Sequence, residues 1–304
     1  MLTRRTFIAS TGALTLGAPN ILKGADTPAM SIGLVADAQY ADIPEAKTRF
    51  YRQSIAKLGD AVEDFNRQDL TFCVHLGDLI DREWRSFSEI SKPLASLRPP
   101  IHHLLGNHDF DVLGEYKAKV PALLGLTKRY YHFDKAGFRF VMLDSTDIST
   151  YTFPTNTSEH KLAAAALQQA IAARLPQAQP WNGALGPAQL KWLDGTCAEA
   201  LSKGLKVILF AHHPVFPANS HNIWNSGEIL TLLDRHRHVV AWFNGHNHEG
   251  NFGVHQGLPC VNLRGMVETA DTTAYAMAAL YADRIIITGK GREPSRELLF
   301  RKTT

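Results

Sequence analysis

Thr71-Phe72-Cys73-Val74-His75-Leu76-Gly77-Asp78-Leu79-Ile80-Asp81 is a mostly apolar run that stops at a glycine and passes at once into carboxylates. A run of that length reads as a buried strand, and a glycine at its exit frees the backbone to turn sharply. The same pattern recurs in Val35-Ala36-Asp37-Ala38-Gln39, Leu105-Gly106-Asn107-His108-Asp109, Phe210-Ala211-His212-His213-Pro214 and Asn244-Gly245-His246-Asn247-His248. Five strand exits therefore deliver Asp, Asn, Gln and His side chains. In open α/β sheets, ligands bind beyond the carboxyl ends of strands, so groups as far apart as Asp37 and His248 are predicted to share one crevice.

Outward from these exits, short apolar runs alternate with longer helical stretches, which predicts an α/β fold rather than segregated blocks. Strands are predicted over 31–36, 71–76, 101–105, 138–143, 206–211 and 239–243, with later ones over 261–263, 275–280 and 284–288. Helices are predicted over 47–67, where Phe50, Ile55, Leu58, Val62 and Phe65 keep near-helical spacing, and over 161–175 and 187–202. The segment 150–185 carries Pro154, Pro176, Pro180 and Gly183 without a strand pattern, and reads as an insertion over the strand ends. No repeat and no second domain is visible, so 26–304 is expected to form one domain.

The 304 residues are 45% hydrophobic and 20% charged, which excludes a disordered or collagen-like chain. Lys and Arg number 32 against 29 Asp and Glu, but Arg4, Arg5 and Lys23 all precede the first acid, Asp26. The body is therefore neutral, which argues against a sequence-independent grip on nucleic acid and leaves any anionic substrate to be held locally, for instance by metal ions. Cys73, Cys197 and Cys260 have no Cys-x-x-Cys spacing, so neither a zinc knuckle nor a disulfide framework is indicated. Paired Arg4 and Arg5 ahead of a mildly apolar stretch ending near Ala18 resemble a twin-arginine export signal over 1–25. Export to the periplasm or another extracytoplasmic space is the expectation, a cytoplasmic enzyme with a basic N-terminus the alternative. After the leader nothing suggests membrane binding, and no feature reads on oligomeric state.

Asp37, Asp78, Asn107, His212, His246 and His248 offer hard oxygens and imidazoles suited to Mn, Fe or Zn, with no thiolate to impose a closed structural site. Six or seven ligands exceed what one ion needs. A pair of ions about 3.5 to 4 Å apart, sharing a carboxylate and a hydroxide, would use them and aim that hydroxide at phosphorus.

The order Asp-x-(His or Gln), Gly-Asp-x-x-Asp, Gly-Asn-His-(Asp or Glu), His, Gly-His-x-His resembles the calcineurin-like metallophosphoesterases. Ala36 to Asp42, Arg49 to Ser54, Val261 to Ala270 and Gly289 to Arg292 are similar, more narrowly, to the manganese-dependent ADP-ribose/CDP-alcohol diphosphatases. The likeness runs from Ser31 to about Glu297, weakest around 150–179. It implies two packed, mostly mixed β-sheets flanked by helices in four layers, two divalent metal ions with Mn favoured, and hydrolysis of a phosphoanhydride in a small nucleoside diphosphate conjugate. Carried over position by position, it makes Asp78 the bridging carboxylate, gives Asp37, Gln39 and His248 to one ion and Asn107, His212 and His246 to the other. It places His108 at the leaving-group oxygen as general acid or transition-state donor, with Asp109 as its orienting partner. Gln39 stands where most of the superfamily has His; an amide oxygen binds more weakly, which shifts the site toward Mn.

Other residues read less sharply. Asp81 is either a support for the site or the N-cap of the following helix. His75, His102 and His103 read as sheet residues, and His213 as pointing away from its ligand neighbour because side chains alternate along extended chain. His236 and His238 suit a helix C-terminus. Tyr40 is a candidate to stack on a base, and Arg49, Arg52 and Arg264 to hold a second phosphate. Trp181, Asn182 and Gly183 resemble a diphosphatase block that reaches over the cleft. Glu268 and Thr269 recur in the likeness without an evident role. A broader phosphomonoesterase or phosphodiesterase with the same ions is the alternative activity, and an inactive binding or scaffold module the alternative of another class.

Overall fold

The computed structural model describes residues 27–301, so the leader reading falls outside the described residues. Its strands are β1 (Met30–Val35), β2 (Phe72–His75), β3 (Ile101–His103), β4 (Tyr131–Lys135), β5 (Phe138–Met142), β6 (Lys206–Phe210), β7 (Val239–Asn244), β8 (Asn251–His255), β9 (Leu258–Asn262), β10 (Ala274–Leu280), β11 (Arg284–Gly291) and β12 (Arg296–Leu299). The helices are α1 (Ser54–Asn66), α2 (Ser86–Leu94), the short α3 (Gly114–Lys117) and α4 (Val120–Leu123), α5 (Ser158–Ala172), α6 (Pro187–Ser202) and α7 (Ser226–Asp234).

Two six-stranded sheets form, in the orders β12-β11-β10-β1-β2-β3 and β4-β5-β6-β7-β9-β8. Both are mixed: β1, β2 and β3 run parallel while β10 pairs antiparallel with β1, and β5, β6, β7 and β9 run parallel between antiparallel edges. Parallel strands need both faces covered. One face of each sheet meets the other sheet, where Ile32, Leu34, Phe72, Val74, Phe140, Phe210 and Phe243 are buried together. The outer face of the first sheet carries α1 and α2 through Leu58, Phe65, Phe87 and Ile90, and that of the second carries α6 and α7 through Leu193, Cys197, Ile229 and Leu233. Each fully buried Phe or Leu contributes about 1.5–3 kcal/mol relative to exposure, which is what fixes the register of strands at the centre. The fold is thus the expected four-layer arrangement, with the carboxyl ends of β1, β2, β6 and β7 opening at one rim.

The predicted helix over 47–67 begins only at Ser54. Residues 47–53 are instead tied to a distant turn, through Phe50 N–H donating to Val267 O at 2.9 Å and Thr269 N–H to Thr48 O at 2.9 Å. The strand predicted over 261–263 is β9, which starts at Leu258. Pro259 obscures it, yet β9 pairs with β7 only from Cys260 onward, so the missing N–H of proline costs no bond there. Within the 150–185 insertion, α5 is capped by Thr157, whose hydroxyl accepts from His160 N–H at 3.2 Å. Leu167 of α5 packs with Ala184 and Trp224, which holds the insertion against the rim. Among the described residues, no helix is long and apolar enough to cross a membrane.

Candidate metal centre

The loops leaving β1, β2, β3, β6 and β7 bring the seven side chains together. Asp78 Oδ2 lies 3.0 Å from Gln39 Nε2 on one side and 3.3 Å from His212 Nε2 on the other. His212 Nε2 is also 3.2 Å from both Asn107 Oδ1 and His246 Nδ1. On the first side, His248 Nε2 is 3.0 Å from Gln39 Nε2 and 3.7 Å from Asp37 Oδ1. Asp78 therefore stands between two sets, Asp37/Gln39/His248 and Asn107/His212/His246.

The backbone is forced to make this convergence. Asp37, Gln39, Asp78 and His246 all have positive φ, between 43° and 72°, a region that costs a residue with a side chain about 1–3 kcal/mol. Only Gly77 of the three motif glycines takes positive φ, at 95°. Gly106 and Gly245 serve a different need, space: a Cβ on Gly106 would strike the Asp78 carboxylate, and one on Gly245 would stand 2.6 Å from Asp37 Oδ2.

Each imidazole is turned by a partner on its far nitrogen. His212 Nδ1–H donates to Leu76 O at 2.8 Å, His246 Nε2–H to Asn182 Oδ1 at 2.8 Å, and His248 Nδ1–H to Glu268 Oε1 at 2.7 Å. The other ring nitrogens all face the shared centre, the arrangement that metal-binding histidines adopt. Glu268 thereby acquires a role that its sequence context did not suggest. Burial would raise its carboxyl, but the bond to His248 and the charge of Arg49 hold it at about 2, ionised and able to accept.

The charges of the site also call for cations. Asp37 and Asp78 are both fully buried. Burial raises Asp37 above the usual carboxylate range despite His248 and His212 nearby. Burial acts the same way on Asp78, yet His212 and His108 hold it well below that range. His212 in turn is pushed up to about 9: burial opposes its protonation, but Asp78 beside it prevails. Gln39 Oε1 is buried without a partner. Two buried carboxylates, three oriented imidazoles, an amide oxygen lacking a partner and Asn107 fit a pair of divalent ions. They would hold them as one set of three on each side of Asp78.

Not every expected contact is present. Asp109 does not touch His108: its Oδ1 accepts from Leu79 N–H at 2.9 Å, and its Oδ2 from Gly106 N–H at 2.9 Å and Asp78 N–H at 3.1 Å. It clamps the two ligand loops together because a tight turn leaves those N–H groups otherwise unpaired. The partner of His108 is Asp81, with Nδ1 to Oδ1 at 3.0 Å. Asp81 is not an N-cap, since α2 begins five residues later at Ser86. Tyr40 is 7% exposed and packs in the core beneath α1 and α2, so it does not face the cleft. Arg52 points to solvent and pairs with Asp42 at 2.7 Å, and Arg264 lies outside the cleft walls. Asn182 is buried against His246 and acts on that ring. His213 does not point away. The chain bends at 212–213, which sets its ring 4.3 Å from that of His246, with Nδ1 at Ser145 Oγ and Nε2 at Trp181 O.

The cleft over the centre is about 450 Å³ and is lined by Arg49, His108, Trp181 and His221 besides Gln39, Asp78, Asn107, His246 and His248. His221, on the long loop after β6, belongs to no motif and was not legible from sequence. A second recess of about 300 Å³ shares Asn107, His108 and Trp181 with the cleft and continues past Phe110 and Tyr151 to Lys117. The larger groove of about 670 Å³ along β11 and β12 contains none of these groups, so volume alone does not mark the site.

Comparison with known proteins agrees with this geometry. The calcineurin-like phosphoesterase family profile matches residues 30–250. Manganese-dependent ADP-ribose/CDP-alcohol diphosphatases from Mus musculus and Danio rerio are 29% and 30% identical, over 93% and 88% of this chain and 97% of theirs in each case. A dimetal phosphatase from Danio rerio superposes with a TM-score of 0.82 at 28% identity, over 90% of this chain and 100% of that one. A purple acid phosphatase from yellow lupin shares the fold at a TM-score of 0.52 and 15% identity, over 89% of this chain and 54% of that one. With most of its strands, and four of its five ligand-bearing loops together with His246 and His248 of the fifth, inside the matched span, the chain belongs to the calcineurin-like phosphoesterase family and is a hydrolase of that class.

Proposed function

We propose that this protein hydrolyses the phosphoanhydride of nucleoside diphosphate conjugates of the ADP-ribose or CDP-alcohol type, using two divalent ions, Mn in preference. The observation that carries the reading is the two-sided ligand set about Asp78. The curated relatives aligned over nearly the whole chain add the substrate class.

Two divalent ions would supply Lewis acidity that ionises a water and screens the phosphoryl oxygens. The chain's own residues do the rest. His108, in the cleft wall and ion-paired to Asp81, gives its proton to the departing oxygen. Burial works against a protonated His108, but Asp78 and Asp81 raise it above the ordinary histidine value, so the acid form is favoured. Arg49 faces the same cleft and offers a bidentate grip to a second phosphate. The recess ending at Lys117 supplies length beyond His108 for the leaving half of such a substrate.

A panel of ADP-ribose, CDP-choline, a nucleoside monophosphate, a cyclic nucleotide and p-nitrophenyl phosphate tests this. The highest kcat/KM on the first two is expected, and equal or better turnover of the monoester would favour the broader phosphoesterase instead. We further propose export by the twin-arginine route, supported by Arg4 and Arg5 ahead of an apolar stretch. Replacing both with Lys should leave the protein in the cytoplasm; continued export would overturn this.

A further inference from the structure

The turn 265–269 after β9 meets both ligand loops of one half of the centre. Met266 N–H donates to Ala36 O and Val267 N–H to Asp37 O, each at 3.0 Å, while Gly265 N–H donates to His248 O at 3.1 Å. Glu268 orients the His248 ring. The carbonyls of this turn face the other way and converge on one point, the ammonium of Lys57 on α1. Lys57 Nζ lies 3.1 Å from Met266 O, 3.4 Å from Val267 O and 3.0 Å from Glu268 O, and also bonds Thr269 O.

Four carbonyl dipoles aimed at one point repel one another unless a cation sits there, and an ammonium has three protons to share among them. Lys57 is 5% exposed, and all four of its oxygen partners are carbonyls rather than carboxylates. Burying that charge is costly. Burial accordingly pushes the ammonium down to about 8. Thr269 is held at a φ of 64°, a conformation the turn would otherwise relax. The rings of the other half are set elsewhere, His212 by Leu76 O and His246 by Asn182, although the backbone N–H of His246 donates to the Asp37 carboxylate at 3.1 Å.

We propose that Lys57 is a positioning residue which, by closing the 266–269 carbonyls around its ammonium, fixes Asp37 and His248 and so sets the affinity of one ion of the pair. This rests on the two-ion reading above. Removing Lys57 lets the turn open, shifts Glu268 from His248 and loosens Val267 from Asp37. The Asn107/His212/His246 half stays intact.

The test is Mn titration of the full chain after chelation, for wild type and Lys57→Met, read by bound-metal count and electron paramagnetic resonance. Wild type should bind two ions with a spin-coupled signal. The variant should bind one ion at wild-type affinity and the second about 10–100-fold more weakly, with an uncoupled signal at one equivalent. Two ions at wild-type affinity, or equal weakening of both, would overturn the proposal. Glu268→Gln should reproduce the selective loss, and the double variant should add little to it. If Lys57→Met does not fold, Lys57→Gln is judged by the same two outcomes. Failure of wild type to bind two ions would instead strike the functional reading on which this depends.

Discussion

His108 Nδ1 lies 3.0 Å from Asp81 Oδ1, while the backbone N–H of His108 donates to Asp78 Oδ1 at 2.8 Å. One residue is thus fixed from two sides, its ring by one carboxylate and its backbone by the carboxylate at the middle of the ligand set. A proton donor held this way matters most when the leaving group is poor. His108→Ala should lower kcat about 10²–10⁴-fold on an alkyl phosphomonoester, whose alkoxide must be protonated as it leaves, and markedly less on p-nitrophenyl phosphate, whose leaving group needs no proton. Asp81→Asn should show the same pattern more weakly. Equal losses on both substrates would remove His108 from the role of general acid.

Gly106 has no room for a methyl group, because the Cβ would meet the Asp78 carboxylate. Gly106→Ala should cost about 1–3 kcal/mol in thermal unfolding and should weaken metal retention at the same time. An alanine variant with wild-type melting temperature and metal content would show that the loop yields freely.

The proton that His212 holds must leave when a metal arrives. Its value of about 9 in the metal-free protein lies above the ordinary 6.5, so the imidazole is charged at neutral pH. Mn affinity should therefore fall as pH drops from 9 to 6, and titration calorimetry in buffers of different ionisation enthalpy should reveal proton release. The sign for stability follows. A group raised on folding contributes fully below its unfolded value, near 6.5, and the contribution is lost as pH rises through about 9. The chelated protein should lose this part of its stability across that window. A pH-independent affinity would contradict the charge state assigned to His212.

Gln39 presents an amide where imidazole would bind more firmly. Gln39→His should hold metal more tightly during dialysis against chelator. Gln39→Ala should release it sooner, with wild-type activity recovered only at higher Mn. Unchanged retention in both variants would mean that Gln39 is not a ligand.

Much of this site could be read from residue order, because each ligand follows a buried strand and a strand buried on both faces is a conspicuous apolar run. Phe138–Met142 and Val239–Asn244 are such runs. The strands that escaped notice, Tyr131–Lys135, Asn251–His255 and Arg296–Leu299, are all sheet edges, where one face is open and the apolar signal is diluted. The supports of the site were harder to see than its ligands. The family resemblance implies Asp109 as the partner of His108, but an adjacent residue on a tight turn faces elsewhere, and the partner is Asp81 on another loop. Lys57 reaches its carbonyls across more than 200 residues of chain and Glu268 reaches His248 across 20, through contacts that no local pattern encodes. His221 reaches the cleft from a long loop for the same reason.

Seven side chains from five loops are arranged to hold two ions about Asp78. Anomalous scattering from crystals grown with Mn tests this directly. Two peaks about 3.5–4 Å apart are expected. One should lie against Asp37, Gln39 and His248, the other against Asn107, His212 and His246, with Asp78 touching both. A single peak, or two that do not share Asp78, would contradict it.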